Sequence, residues 1–330
     1  METSSETPNE LIPSGFVLNP IKIDACLPFK IADDCTISKA SNAQILEVKK
    51  SLEKIFPVTA FTTGYPVHFF YEYEIDLVIN GRYFISTDKP LLESDWRYYI
   101  VTATKRQTNE ELHLASQISK APLNLNALSF WANLGWVGSY HPQRLHKYYR
   151  ENDSHPVTML DQQSLDDLSE IYKLWKKVIV EPGESTKFPE IRRALEMYEN
   201  LNELPSGSQF HILGLFAIIE MLVTHNPKLE DRGDSITHQM KSKMPLLARR
   251  FDLPVDAALF FSDVSSDKIW SALYSLRSTV AHGGRPDFSS SQLRVLKDED
   301  NAKSFLRFFV KSLIRHALHE PDLYKDLRAC

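Results

Sequence analysis

The chain has 330 residues, of which 43% are apolar and 25% charged, with a formal net charge of −5 at pH 7. Only 11 glycines and an 11% aromatic content exclude a collagen-like or wholly disordered chain, and the length suits two packed domains of roughly 100 to 200 residues each. A net acidic balance excludes a general polyanion binder, so any contact with nucleic acid must be local.

The longest apolar run, 210–224, contains His211 and Glu220 and falls short of the roughly 20 residues that a bilayer crossing takes. No membrane association is expected. The acidic, polar start, residues 1–10, lacks the cationic and apolar parts of a secretory signal. Cys26, Cys35 and Cys330 have no metal-ligand spacing and read as free thiols in a reducing, cytoplasmic compartment.

Taken in chain order, residues 1–14 form a flexible leader without apolar period. Residues 15–160 form an α+β domain. Ser41 and Gln44 make a capping box, and Ile45, Val48, Leu52 and Ile55 then share one helical face. From His68 to Ile79 the residues are aromatic and β-branched, Asn80-Gly81 supplies a two-residue hairpin turn, and Arg82 to Ser86 resumes the strand pattern. A further strand over Trp96 to Thr104 is expected beside that hairpin. Polar residues with His141-Pro142 and His155-Pro156 break both periods between Ser139 and Asp161, which places a boundary near residue 160.

Residues 161–330 read as an all-α bundle. The periodicity predicts helices over Ser164–Val180, Phe188–Leu201, Ser208–Thr224, Asp234–Phe251, Ser266–Ala281 and Asn301–His319, joined by short Pro- or Gly-containing connections. Lys241, Lys243, Arg249 and Arg250 cluster on one of these helices, either as its wet face or as a phosphate contact.

The helix ending LYSLRSTVAHGG carries the chemistry. Ile269, Leu273, Leu276 and Val280 form its apolar stripe, with Arg277 beside the stripe rather than opposite it. A guanidinium there must snorkel to water or find an anion. Gly283 suits the left-handed residue that ends a helix, placing His282 in the last turn, where the dipole favours imidazolium. Five residues separate Arg277 from His282, about 140° on an ideal helix. A continuous helix does not aim both at one point; convergence takes a distorted last turn or a second subunit. From spacing alone the plainer arrangement is favoured, in which Arg277 pairs with a carboxylate and His282 ends the helix. On convergence, His282 would move protons while Arg277 neutralises charge on the non-bridging oxygens of a phosphodiester.

The segment 268–284, with LYSLRSTVAHGG, resembles the R-x4-6-H signature helix of the HEPN superfamily, especially its ApeA-like branch, and LGLFAIIEML at 213–222 is similar to that branch's "LE" helix. The resemblance covers the C-terminal half. It implies a dimerising helical bundle acting as a metal-independent endoribonuclease in toxin, stress or antiviral defence, leaving a 2′,3′-cyclic phosphate and a 5′-hydroxyl. It further implies Arg277 and His282 as the catalytic pair, Ser278 as the polar residue after the arginine, and Glu220 as the acidic residue of the "LE" helix, where it interrupts an apolar face and so suits a buried role such as pairing with Arg277. RNA is then the substrate, a homodimer the working form, and no cofactor or metal is called for. The chain departs from many toxin relatives in having Ser278 where they have asparagine, and His238-Gln239 where an arginine is usual. The alternative is a catalytically inactive HEPN module for nucleotide sensing or protein interaction.

In the N-terminal half, which the resemblance casts as regulatory or targeting, Arg144, His146, Lys147, Tyr148, Tyr149 and Arg150 mix basic and aromatic groups in a way that suits either single-stranded nucleic acid or a wet helix face. His316, His319 and Glu320 read as surface groups rather than a metal site. Neither a phosphate-binding G-x-x-x-x-G-K nor a G-x-S-x-G nucleophile elbow occurs.

Overall fold

A computed structural model describes residues 13–56, 66–78, 82–125, 127–131, 136–138, 145, 149, 157–180, 187–205, 207–225 and 236–329. The chain divides into two compact units, Met1–Lys173 and Leu174–Cys330. The first mixes strands and helices and the second is helical, as the expected α+β and all-α parts require.

The first unit is built on a six-stranded antiparallel sheet in the order β3-β4-β7-β1-β8-β9. These strands are β1 (Pro13–Phe16), β3 (Phe29–Ala32), β4 (Cys35–Lys39), β7 (Tyr99–Ala103), β8 (Ser129–Trp131) and β9 (Trp136–Gly138). A parallel pair joins β2 (Ile21–Asp24) to β10 (Thr158–Asp161), and an antiparallel hairpin joins β5 (Tyr73–Val78) to β6 (Arg82–Pro90). The Asn80-Gly81 turn of that hairpin lies outside the described residues.

Three sequence expectations are corrected by the structure. The strand expected from His68 begins only at Tyr73, because Phe69–Glu72 form a short helix. The strand over Tyr99–Ala103 does not lie beside the hairpin; it pairs with β1 and β4 in the large sheet. The leader does not reach residue 14, because Ser14 already sits inside a central strand, opposite Thr102 on one side and Phe130 on the other. Four of the five residues of β7 are buried, which demands cover on both faces of the sheet.

Helix α1 (Asn42–Ile55) begins with the expected capping box: Gln44 N–H donates to Ser41 Oγ and the Gln44 side chain accepts from Ser41 N–H. Its Val48 and Leu52 join Phe16, Leu18, Tyr71, Tyr98, Ile100, Leu145 and Tyr149 in one buried cluster. A short helix, α2 (Phe69–Glu72), supplies Tyr71, whose hydroxyl donates to Leu18 O and lies 2.6 Å from the Tyr149 hydroxyl. Burial pushes the Tyr71 phenol well above its ordinary pKa, so it stays neutral in the core. Helix α3 (Arg106–Ser116) packs against β1 and β7.

Helix α4 (Gln162–Trp175) starts after residue 160, yet its Ser169 hydroxyl donates to Ile31 O at 2.6 Å and its Asp167 accepts from Lys120 N–H at 2.7 Å. Those bonds account for the boundary between the units falling at Lys173. Lys176–Val180 continue as a π-helical turn.

The second unit centres on α6 (Phe210–Val223), which buries Ile212, Leu215, Phe216, Ile218, Ile219, Leu222 and Val223. A helix apolar around most of its surface has to be surrounded. The neighbours are α5 (Pro189–Asn200), α7 (Ile236–Ala248), α9 (Ser266–Ala281) and α10 (Glu299–His319), with the short α8 (Ala258–Phe261) and α11 (Pro321–Leu327) against α10. Aromatic rings fill the far side: Trp270 stands edge-on to Phe309 at 4.8 Å, and Phe261 to Phe305 at 4.8 Å. Cys26 is an exposed free thiol and Cys35 a buried one; Cys330 lies outside the described residues.

Candidate functional site

Helix α9 buries Ile269, Trp270, Ala272, Leu273 and Leu276 on one side. Arg277 follows immediately after the last of these, so its stem leaves the edge of the core while its head reaches the surface, with the side chain 31% exposed. The anion it meets is Glu220 on α6, whose side chain is 20% exposed. Arg277 Nη2 lies 3.2 Å from Oε1 and donates to Oε2 at 3.3 Å. Oε1 is the nearer oxygen, but it is enclosed without an aligned hydrogen bond, so Oε2 carries the directional contact. The guanidinium carbon also sits 5.8 Å from the centre of the Tyr274 ring, one helical turn earlier, and that ring stands edge-on to Phe216 at 6.4 Å. Tyr274 belongs to the LYSLRSTVAHGG segment but has no role in the sequence reading; its position three residues before Arg277 is the available signal.

The end of α9 follows from two glycines. His282 N–H donates to Ser278 O, Gly283 N–H to Val280 O at 3.0 Å and Gly284 N–H to Thr279 O at 2.9 Å, with Gly283 at φ 72°. This is a Schellman closure, and only glycine takes that φ without strain. His282 is the last residue before it, exposed, and among the described residues its ring makes no hydrogen bond or ion pair. Ser278 is partly exposed beside Arg277.

The last turn of α9 is therefore regular. Arg277 and His282 leave its axis about 140° apart, and the helix distortion that would have joined them within one chain is absent. The structure brings Arg277 to Glu220 but does not bring His282 to either. Phe216 meets Tyr274 and Glu220 meets Arg277, so α6 and α9 run in the same direction and end together. At that end Lys243 on α7 donates to Val223 O at 3.1 Å and to Leu327 O at 2.8 Å, and Gln239 accepts from His225 N–H. Lysine at a helix C-terminus satisfies carbonyls that have no partner in the helix.

Other candidates are reassigned. Of the basic cluster, Lys241 and Lys243 lie on α7 while Arg249 and Arg250 follow its end; Lys243 is occupied by those carbonyls and Arg250 by Glu320, leaving no four-residue phosphate patch. In the basic-aromatic segment Tyr149 is buried and bonded to Tyr71, so it does not stack on a base; Arg144, His146, Lys147, Tyr148 and Arg150 lie outside the described residues. His316 is not a surface group: it is 2% exposed, with Nδ1 2.9 Å from the Tyr324 hydroxyl. His319 turns instead to Asp252 at 3.6 Å. Among the described residues no three His, Cys, Asp or Glu side chains gather to hold a metal ion, and no helix is long and apolar enough to cross a membrane.

Compared with family models, curated proteins and solved structures, the chain matches none.

Proposed function

We propose that the C-terminal unit is a metal-independent endoribonuclease of the HEPN R-x4-H kind, working as a homodimer in stress or antiviral defence. The observation that supports this reading is an exposed His282, whose ring has no partner among the described residues, at the same helix end where the head of Arg277 reaches the surface. Because the two side chains diverge on one helix, the complete site needs a second copy, in which Arg277 and His282 from facing helices share one cleft.

In that cleft the ribose 2′-hydroxyl gives its proton to His282 and its oxygen attacks phosphorus. Arg277 neutralises the charge growing on the non-bridging oxygens. The phosphorus–5′-oxygen bond breaks, the leaving oxygen takes a proton from imidazolium, and the products are a 2′,3′-cyclic phosphate and a 5′-hydroxyl. Ser278 stands next to Arg277 as a polar neighbour of the phosphate. The N-terminal unit would regulate or target this activity.

A second reading is a catalytically inactive module for nucleotide sensing or protein interaction. It is favoured by the engagement of Arg277 by Glu220 and Tyr274, which leaves its fork partly occupied.

The test is incubation of the full chain with RNA in EDTA, with product ends mapped. Cleavage leaving cyclic phosphate, and its loss in Arg277→Ala and His282→Ala proteins that still fold, supports the nuclease; intact RNA with a folded wild-type dimer supports the second reading.

A further inference from the structure

A groove of about 150 Å³ opens in the helical unit between the first turn of α5, the end of α6 and α11. Its floor is apolar: Phe188, Ile191, Leu222 and Tyr324 are all buried side chains whose edges line it. Its rim is cationic, with Lys187, Lys325 and Arg328 against a single carboxylate, Glu190.

The charges divide into a spent pair and a free pair. Arg328 Nη1 lies 2.7 Å from Glu190 Oε1. Partial burial pushes the Glu190 carboxyl up, but the hydrogen bond from Arg328, the residue's own N–H and the Arg328 charge outweigh it and hold it below its ordinary range. Glu190 thus stays ionised and also answers the N-terminus of α5, which has no side-chain cap. Lys187 and Lys325 are exposed, and neither has an ion-pair partner among the described residues. Lys187 Nζ rests 5.6 Å from the Phe188 ring centre, so its positive charge stands directly over the apolar floor.

We propose that this groove binds a small aryl anion, a single ring carrying one carboxylate or phosphate. An open groove of about 150 Å³, lined by apolar and polar surface in similar measure, has room for one benzene-sized body. The two rim lysines, which have no ion-pair partner among the described residues, select a negative head group, which stays in contact with water while the ring faces the floor. A bare inorganic anion gains nothing from the floor, and an uncharged ring gains nothing from the rim. The groove shares neither Arg277 nor His282 with the site above and stands whether or not RNA is cleaved.

Titration calorimetry on the full chain with phenyl phosphate, benzoate, benzyl alcohol and inorganic phosphate tests this. At least one aryl anion is expected to saturate with a dissociation constant on the order of 1 mM or tighter, and benzyl alcohol and inorganic phosphate to bind at least about tenfold more weakly. Phenyl phosphate against benzoate identifies the preferred head group. The doubly charge-reversed Lys187→Glu, Lys325→Glu protein should lose about tenfold or more in affinity with an unchanged unfolding midpoint, since both side chains are exposed. The milder Lys325→Gln should lose part of that affinity. No saturable heat with either aryl anion, inorganic phosphate binding as well as phenyl phosphate, or full affinity after charge reversal would each overturn the proposal.

Discussion

Arg277 and Glu220, 57 residues apart in the chain, hold each other at 3.2 Å and thereby bind the edge of α9 to the edge of α6. The contact explains why a cation can sit at the border of an apolar stripe, and why a carboxylate can interrupt an otherwise apolar helix. It also fixes the direction of the guanidinium.

Removing either member should cost about 1 kcal/mol, because the pair is partly solvated and its hydrogen bond is charge-assisted. Urea unfolding of Glu220→Gln, Arg277→Ala and the double variant checks this, and the double variant should lose less than the two single losses added together. Additive losses would show that the contact carries no coupling energy.

His282→Ala should behave differently. The ring is exposed and makes no hydrogen bond or ion pair among the described residues, so stability should stay within about 0.5 kcal/mol of the parent, while RNA cleavage disappears. Cleavage at the parental rate in this variant rules out the proton shuttle assigned to His282.

Gly283→Ala should destabilise the unit by about 1–2 kcal/mol, because φ 72° brings a Cβ against the carbonyl in a left-handed residue. A denaturant midpoint equal to wild type would mean that the closure of α9 is not maintained in solution.

Trp270→Ala should be the most damaging core change. Its ring stands edge-on to Phe309 at 4.8 Å and to Phe305 at 6.2 Å and is almost fully buried, so truncation should cost about 3–5 kcal/mol. Thermal unfolding followed by circular dichroism gives the comparison.

Acid should weaken both units through buried imidazoles. Burial lowers the pKa of His316, outweighing Glu320 and Asp252, and likewise that of His68, outweighing Glu72 and Glu53. The unfolded chain then takes up protons near pH 6.5 while the folded chain does not. Stability should be flat above that pH and fall below it, levelling once the folded imidazoles also protonate. In His316→Gln the melting temperature of the helical unit should fall less between pH 7 and pH 5; an identical slope removes His316 as a cause.

The helices of the second unit were legible because a 3.6-residue apolar period is a local property. The period marked Phe210–Val223, Ser266–Ala281 and most of Glu299–His319, and Ser41 with Gln44 marked the start of α1. Gly283 likewise announced where α9 stops. Strand pairing was less legible. Alternation identifies a strand but not its neighbour, so Tyr99–Ala103 was attached to the nearby hairpin although it pairs with residues 13–16 and 35–39. Short polar beginnings such as Ser14 carry too little pattern to reveal a central strand.

For the site, local spacing put Arg277 and His282 on one helix about 140° apart and a carboxylate among the apolar residues of another, while only the resemblance to a signature helix marks the two as a pair. The sequence offers Glu220 as a partner for Arg277; folding decided that the two meet, that Tyr274 would lie beside the guanidinium, that Lys243 would be occupied by backbone carbonyls and that His316 would be enclosed. The physical reason is range: hydrophobic period, caps and turns act within a few residues, whereas a charge finds its partner only after separate helices have packed.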